Sequence, residues 1–327
     1  MPSNSAAPNQ KETSVFQPIV SIGDLVADLI VSIPTLPAEA GHHQIAEEIQ
    51  LEPGGGANFL IAGARLGYPM AAIGALGDDL WGREVAGLIR SEGVDLSGVQ
   101  QQGSTTQVVV LVSHAGEHLF LGKYGQGRKI TLCPADIDLI KRCGALYCVG
   151  YSLAEARLVD LTLEAMKLAR HYHRPVFFDP GPQIAAVSQN LRRQVLSSTD
   201  TLLLTAEEVP LLTAGSVTEL ITQDGGPGTV VLKRGPAGCR IYREGAGASP
   251  IDLPGYPVAV VDSSAAGDSF NAAFMVATLW GWPPADCAKL GNAVGAAKVR
   301  KLGGGRNVPT IAEVRAVIAE FKIEIEL

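Results

Sequence analysis

The chain has 327 residues, about twice the ~150 of an average domain, so one large domain or a domain with an attached lobe is expected. Apolar residues make up 46% and charged residues 18%, which supplies an ample core and excludes a disordered chain. With 26 basic against 33 acidic residues the net charge is −7, and that balance argues against a nucleic-acid partner.

Residues 1–14 read as a disordered polar tail without the apolar stretch of a secretory signal, and a single α/β domain is expected over 15–327. Pro18 to Gly23 is a buried strand. From Val26 to Glu52 apolar and polar residues alternate among Pro34, Pro37 and Gly41, which predicts strands with one wet face. Pro53-Gly54-Gly55-Gly56-Ala57-Asn58 is a turn with Asn58 as the cap of a helix over Phe59 to Leu66. Met70 to Ala75 is a strand, and Thr106 to Leu121 holds two β-rich runs joined at Ser113-His114-Ala115-Gly116-Glu117. The wet-faced segments, at about 28–53 and 104–125, are expected to form a small extra β-sheet.

Beyond them, short unbroken apolar runs at Ala145 to Val149, Pro175 to Phe178, Thr201 to Leu204, Thr229 to Leu232 and Pro257 to Val261 predict strands. A helix over Ala154 to His171 carries Leu158, Leu161, Ala165, Leu168 and Ala169 on one face. This alternation predicts a doubly wound, mostly parallel α/β sheet covered on both sides, with ligands beyond the carboxyl ends of its strands. No apolar run approaches the ~18 residues of a membrane span, so no membrane partner is expected and the reading is cytoplasmic. Cys133, Cys143, Cys148, Cys239 and Cys287 match no zinc or redox spacing and are expected to be reduced.

The strongest constellation is Asp262-Ser263-Ser264-Ala265-Ala266-Gly267-Asp268, set between the run Val258 to Val261 and a helix over Ser269 to Trp280. Ala265, Ala266 and Gly267 fall where the first free N–H groups of that helix point outward, and small side chains let an anion approach them. Asp268 would repel a phosphate there unless it accepted a proton from an acceptor hydroxyl, a task suited to phosphoryl transfer. The helix dipole is expected to keep Asp268 ionised and a weak base. Read blandly, Asp268 and Ser264 are helix caps and Asp262 closes a turn; the seven-residue glycine and alanine turn with an acid at each end favours the functional reading.

Residues 262–268 with Ser269-Phe270-Asn271-Ala272-Ala273-Phe274 resemble the C-terminal signature of the ribokinase-like (PfkB) carbohydrate kinases, with Ser263 in place of threonine. Residues 53–58 with Ala64-Arg65-Leu66-Gly67, Gly77-Asp78-Asp79 and Gly93-Val94-Asp95 resemble the N-terminal one. The resemblance covers Val20 to about Pro309 and implies a ribokinase-like fold whose small β-sheet is a lid over the sugar, often the site of pairing into a homodimer. It makes Asp268 the catalytic base beside an anion hole at Ala265, Ala266 and Gly267, and makes Asp28, Gly54, Gly55 and Asn58 the sugar-binding set. Lys233, Gly235 and Gly238 fall on the nucleotide loop, Asn292 near adenine, and Thr205 with Glu208 on a family Asn-x-x-Glu motif tied to magnesium. Asp262 and Ser264 fall beside a monovalent cation, so ATP, Mg2+ and K+ are the expected cofactors. Leu60 stands where the family has a small residue and Gly55 where ribokinase proper has lysine, a difference that points away from ribose.

A nicotinamide oxidoreductase would need three spaced glycines at Gly23-Asp24-Leu25, and a P-loop enzyme would need more than Gly122-Lys123-Tyr124. His42-His43 and His171-x-His173 read as surface residues rather than a metal site. The alternatives to a sugar kinase are a nucleoside kinase of the same family, with Tyr124 or Tyr151 stacking on a base, and a non-catalytic sugar-sensing protein.

Overall fold

A computed structural model describes residues 16–37, 41, 43–115, 117–222, 225–245 and 249–327. The tail at 1–14, His42 and Gly116 lie outside the described residues. The strands are β1 (Ile19–Ile33), β2 (Glu48–Gly55), β3 (Met70–Leu76), β4 (Asp95–Gln101), β5 (Thr106–Ser113), β6 (His118–Lys123), β7 (Ala145–Val149), β8 (Val176–Asp179), β9 (Thr201–Thr205), β10 (Thr229–Lys233), β11 (Cys239–Arg243) and β12 (Ile251–Leu253). The helices are α1 (Gly56–Arg65), α2 (Leu80–Ser91), α3 (Pro134–Arg142), α4 (Tyr151–Ala154), α5 (Val159–His171), α6 (Gln189–Leu196), α7 (Val209–Leu212), α8 (Val217–Thr222), α9 (Ala266–Leu279), α10 (Pro284–Lys298) and α11 (Ile311–Glu320).

The main sheet runs β12-β11-β10-β9-β8-β7-β1-β3-β4, parallel from β10 to β4 with β11 and β12 antiparallel at one edge. Its strands are apolar on both faces because each face is covered. Ile19, Tyr147, Phe177, Leu203 and Val231 pack under α1, α2, α9, α10 and α11. Val20, Ile22, Leu146, Phe178 and Leu204 face α3, α5, α6 and α8 on the other side. The predicted doubly wound sheet is therefore what the chain builds.

Strand β1 is fifteen residues long and belongs to two sheets. Residues 19–24 pair with β3 in the main sheet; residues 25–32 pair antiparallel with β2, and residues 26–33 pair with β5, which in turn pairs with β6. The smaller sheet has its own small core of Ile30, Val110 and Val112. Asp79 pins its base to the main body: it caps α2 through Gly82 N–H (2.8 Å) and accepts from the hydroxyl (2.6 Å) and N–H (2.9 Å) of Thr105.

Asn58 is not a helix cap, since α1 starts at Gly56 with Gly55 at its N-cap, and two further expected elements differ. Pro257 to Val261 is not a strand but an exposed extended segment, because β12 stops at Leu253, and Pro254 and Pro257 lack the N–H groups a ladder needs. Its end is fixed instead by Val299, whose carbonyl accepts from Val261 N–H at 2.7 Å and Asp262 N–H at 3.2 Å. The helix expected from Ala154 begins at Val159, since Glu155 leaves helical geometry and turns its carboxylate to Arg157. The five cysteines are free, and all but Cys133 are buried.

Candidate active site

The first turn of α9 is entered through Ala265, which holds a left-handed backbone (φ 58°) without being glycine. Such a residue stores strain of about 1 kcal/mol, and here it turns the chain so that amides face outward. Ala266 N–H donates to Ser263 O at 3.2 Å and Ser269 N–H to Ala265 O at 3.0 Å. The N–H groups of Ala265, Gly267 and Asp268 meet no acceptor among the described residues. Three outward donors at the positive end of a fourteen-residue helix suit an oxyanion. Of the three amides expected from the sequence, Ala266 is the one engaged internally, and Asp268 supplies the third free donor.

Asp262 shapes this loop from below. Its Oδ1 accepts from Ser264 N–H at 2.8 Å and lies 2.9 Å from Nε2 of His118 on β6, while Oδ2 accepts from Gly303 N–H at 2.5 Å. Burial opposes its charge, but the donors from Ser264 and Gly303 and the nearby Lys298 ammonium hold its pKa below the ordinary carboxylate value. Both oxygens are thus committed and a cationic side chain is already beside them, so these residues do not fit the monovalent cation that the resemblance implies.

The half-buried carboxylate of Asp268 accepts from Asn58 Nδ2 at 3.2 Å. Burial and the charge of Asp179 push its pKa up to about 6, against the opposing pull of Lys233 and Asn58. This reverses the expectation of a weak base, because desolvation outweighs the helix dipole. Asn58 is positioned by Gly305 N–H, which donates to its Oδ1 at 2.7 Å. Within electrostatic reach stands Asp28 on the smaller-sheet half of β1, raised to about 7 by burial, by Asp268 and by Glu52. Gly54 faces it: a Cβ there would overlap the Asp28 carboxylate. Gly55 needs its positive φ of 57°, and a Cβ on it would press Val26 and the Asp24 carbonyl. Glu52, cross-strand from Asp28, is neutralised by Arg306, whose Nη2 and Nε donate to it at 2.8 and 3.1 Å.

Lys233 closes β10 and reaches beneath the first turn of α9. Its ammonium donates to Asp179 Oδ2 at 2.6 Å and Asn271 Oδ1 at 3.2 Å, and a Cβ on Gly267 would sit 3.6 Å from it. Asn271 completes the cluster by donating to Asp179 and to Tyr147 OH at 3.2 Å; Tyr147 is stacked on Phe59. Asp179 and Asn271 escaped the sequence reading; the signal was an acid closing a buried strand immediately before Pro180-Gly181. Glu208 is buried rather than exposed and accepts from Thr205 N–H at 2.8 Å. Burial and Asp179 raise its pKa while Lys233 opposes. Gly235 (φ 54°) has open space around it, Gly238 (φ 82°) packs against residues 253–255, and Asn292 donates to Pro254 O at 3.0 Å.

A second polar group lies beyond Tyr151 and Tyr124. Tyr151 senses Asp268 and Tyr124; Tyr124 senses Glu155 and Asp24. There Thr106 donates its hydroxyl to Asp24, and Arg157 pairs with Glu155 and lies 3.9 Å from Asp24. Asp24 Oδ1, Glu155 Oε2 and both terminal nitrogens of Arg157 are buried without a hydrogen-bond partner. Burial and Glu155 push Asp24 up to about 8. These polar atoms form a closed, buried cluster behind the two tyrosines.

Residues 17–311 match the sequence profile described as pfkB family carbohydrate kinase. Ribokinase of Arabidopsis thaliana is 26% identical over 337 residues, spanning 99% of this chain and 86% of that protein. Fructokinase-1 of Zea mays is 29% identical over 324 residues, spanning 92% and 97%. The structure of the Arabidopsis thaliana ribokinase complexed with ribose and ATP superposes with a TM-score of 0.78 at 26% identity, covering 93% of this chain and 99% of that one.

Proposed function

Because the chain belongs to the pfkB family of carbohydrate kinases, we propose that this ATP-dependent kinase transfers the γ-phosphoryl group to a primary hydroxyl of a small sugar, with Asp268 as the base. The supporting observation is one carboxylate, tuned to about 6, beside the unengaged amides of Ala265, Gly267 and Asp268. The acceptor hydroxyl lies between them, its proton passes to Asp268, its oxygen bonds phosphorus, and the bond to the ADP oxygen breaks. The amides meet the charge on the transferring group, where preorganised donors are most effective.

Asp28 and Asn58 orient the acceptor, and Gly54 and Gly55 let it lie against the main chain. Lys233 holds the Asp179 and Asn271 floor in place, and its charge keeps that acidic cluster from repelling phosphate. Gly235, Gly238, Asn292 and Thr205 bound the nucleotide region. Magnesium would arrive with the nucleotide phosphates and offset their charge, and Glu208 is the acid that the family motif would place near it. The carbohydrate-kinase family match supports a sugar acceptor, and a nucleoside kinase of the same family is the second reading.

An ADP-release assay over pentoses, hexoses, keto-deoxy acids and nucleosides tests the reading. A sugar should give saturable ADP release that Asp268→Asn lowers at least ~100-fold in kcat, with nucleotide and sugar affinities nearly unchanged. Turnover of nucleosides alone, or of nothing, refutes it, and a sugar bound without turnover would favour the sensing protein.

A further inference from the structure

Lys298 closes α10 and is fully buried, with 0% of its surface exposed. Its ammonium donates to the Lys301 carbonyl at 3.0 Å, the one hydrogen bond it makes among the described residues, and Asp262 is the opposite charge that reaches it. A lysine near a helix C-terminus ordinarily lays its charge in water. Taking an ammonium fully out of solvent is costly, and one carbonyl is a poor return for the lost hydration. The compensation has to come from what surrounds it.

Those surroundings are the supports of the phosphate loop. The carbonyl of Val299, next to Lys298 in sequence, accepts from both Val261 and Asp262 N–H. Gly303 N–H, two residues past the carbonyl that Lys298 binds, holds Asp262 Oδ2; Asp262 Oδ1 holds Ser264 N–H, and Ala265 follows with its left-handed backbone. One fixed positive charge thus organises both a carbonyl of the 299–303 turn and the carboxylate that sets the loop. An external monovalent cation would do the same with carbonyl and carboxylate oxygens. Burial lowers the pKa of Lys298 to about 8, so it carries its charge at neutral pH.

We propose that the Lys298 ammonium is a built-in replacement for a monovalent cation, positioning residues 262–268 so that phosphate binding needs no K+. The inference rests on the kinase reading above for what the loop binds. It is tested by calorimetric titration of MgADP into the full chain, in choline, sodium, potassium or ammonium chloride at fixed ionic strength. Wild type should bind within about twofold in all four salts, a spread expected from exposed charges alone. Lys298→Met, which keeps length and apolar stem, should bind at least ~10-fold more weakly in choline and recover in potassium or ammonium without a matching change in melting temperature.

Potassium-dependent affinity in wild type overturns the proposal, as does a folded Lys298→Met protein that binds equally in every salt. Should that variant not fold, the wild-type titration decides alone. Nucleotide affinity reads the proposal whether or not a sugar is turned over, so a negative acceptor screen would be a separate result.

Discussion

At the scale of single residues, two carboxylates close enough for Asp268 to raise the pKa of Asp28 carry the testable electrostatics. Asp268 sits near 6 and Asp28 near 7, so both prefer their protonated forms more strongly in the fold than in the unfolded chain, where about 3.8 applies. A raised pKa means stability present at acidic pH and lost as pH rises through the folded value. Asp268→Asn should therefore raise thermal stability at pH 7.5, on the order of 1 kcal/mol, and the gain should shrink by pH 4.5. Thermal unfolding at the two pH values reads this directly. For catalysis the sign is opposite, since the base must be ionised: kcat/KM should fall about tenfold per pH unit below about 6. Gly54→Ala has a different signature. Its methyl would displace the Asp28 carboxylate, so the acceptor KM should rise at least ~10-fold while MgADP affinity is unchanged. Asp28, Gly54, Asn58 and Asp268 could be picked out from sequence because each sits in a dense local pattern. Asp179 left only the trace of an acid before Pro180-Gly181, and Asn271, Glu52 and Arg157 were not singled out, because Asp179, Arg306 and Asp24 reach them only on folding.

At the scale of elements, the start of α9 combines a strained residue with a helix end. Replacing Ala265 by glycine relieves the left-handed strain at the cost of a freer unfolded chain, so Ala265→Gly should stabilise by up to about 1 kcal/mol and leave kcat near wild type. Denaturant unfolding together with steady-state kinetics checks both halves. Strands β3, β7, β8, β9 and β10 were legible because a strand buried on both faces is an unbroken apolar run. The run from Pro257 to Val261 has the same composition and is no strand, since ladder pairing depends on a neighbour that composition does not reveal. Strand β4 was missed for the converse reason. Asp95-Leu96-Ser97-Gly98-Val99-Gln100-Gln101 is polar and carries a bulge against β3, yet it closes the edge of the main sheet.

At the scale of the whole molecule, the smaller sheet leaves apolar side chains in solvent: Ile49, Leu119, Phe120 and Leu121 are 63, 40, 59 and 56% exposed. Strand β6 also pairs on one side only. Exposed apolar side chains on an open strand edge such as β6 invite self-association, and sedimentation equilibrium should give twice the chain mass. Phe120→Glu should return it to the chain mass; a monomeric wild type would discard the homodimer. Neither the strand order nor the double membership of β1 could be read from the chain, because Gly23 looks like the end of a strand that in fact runs on to Ile33. That continuity has a mechanical consequence. A cover joined to its base by loops could swing wide, but this one hangs on a hydrogen-bonded ribbon clamped at residues 19–24, with Asp28 four residues past the clamp. As the cover over an acceptor that the resemblance implies, it would open by torsion of the ribbon, with small travel near Asp28 and larger travel at the far tip. The acceptor end would stay nearly preassembled while the rim admits and releases cargo.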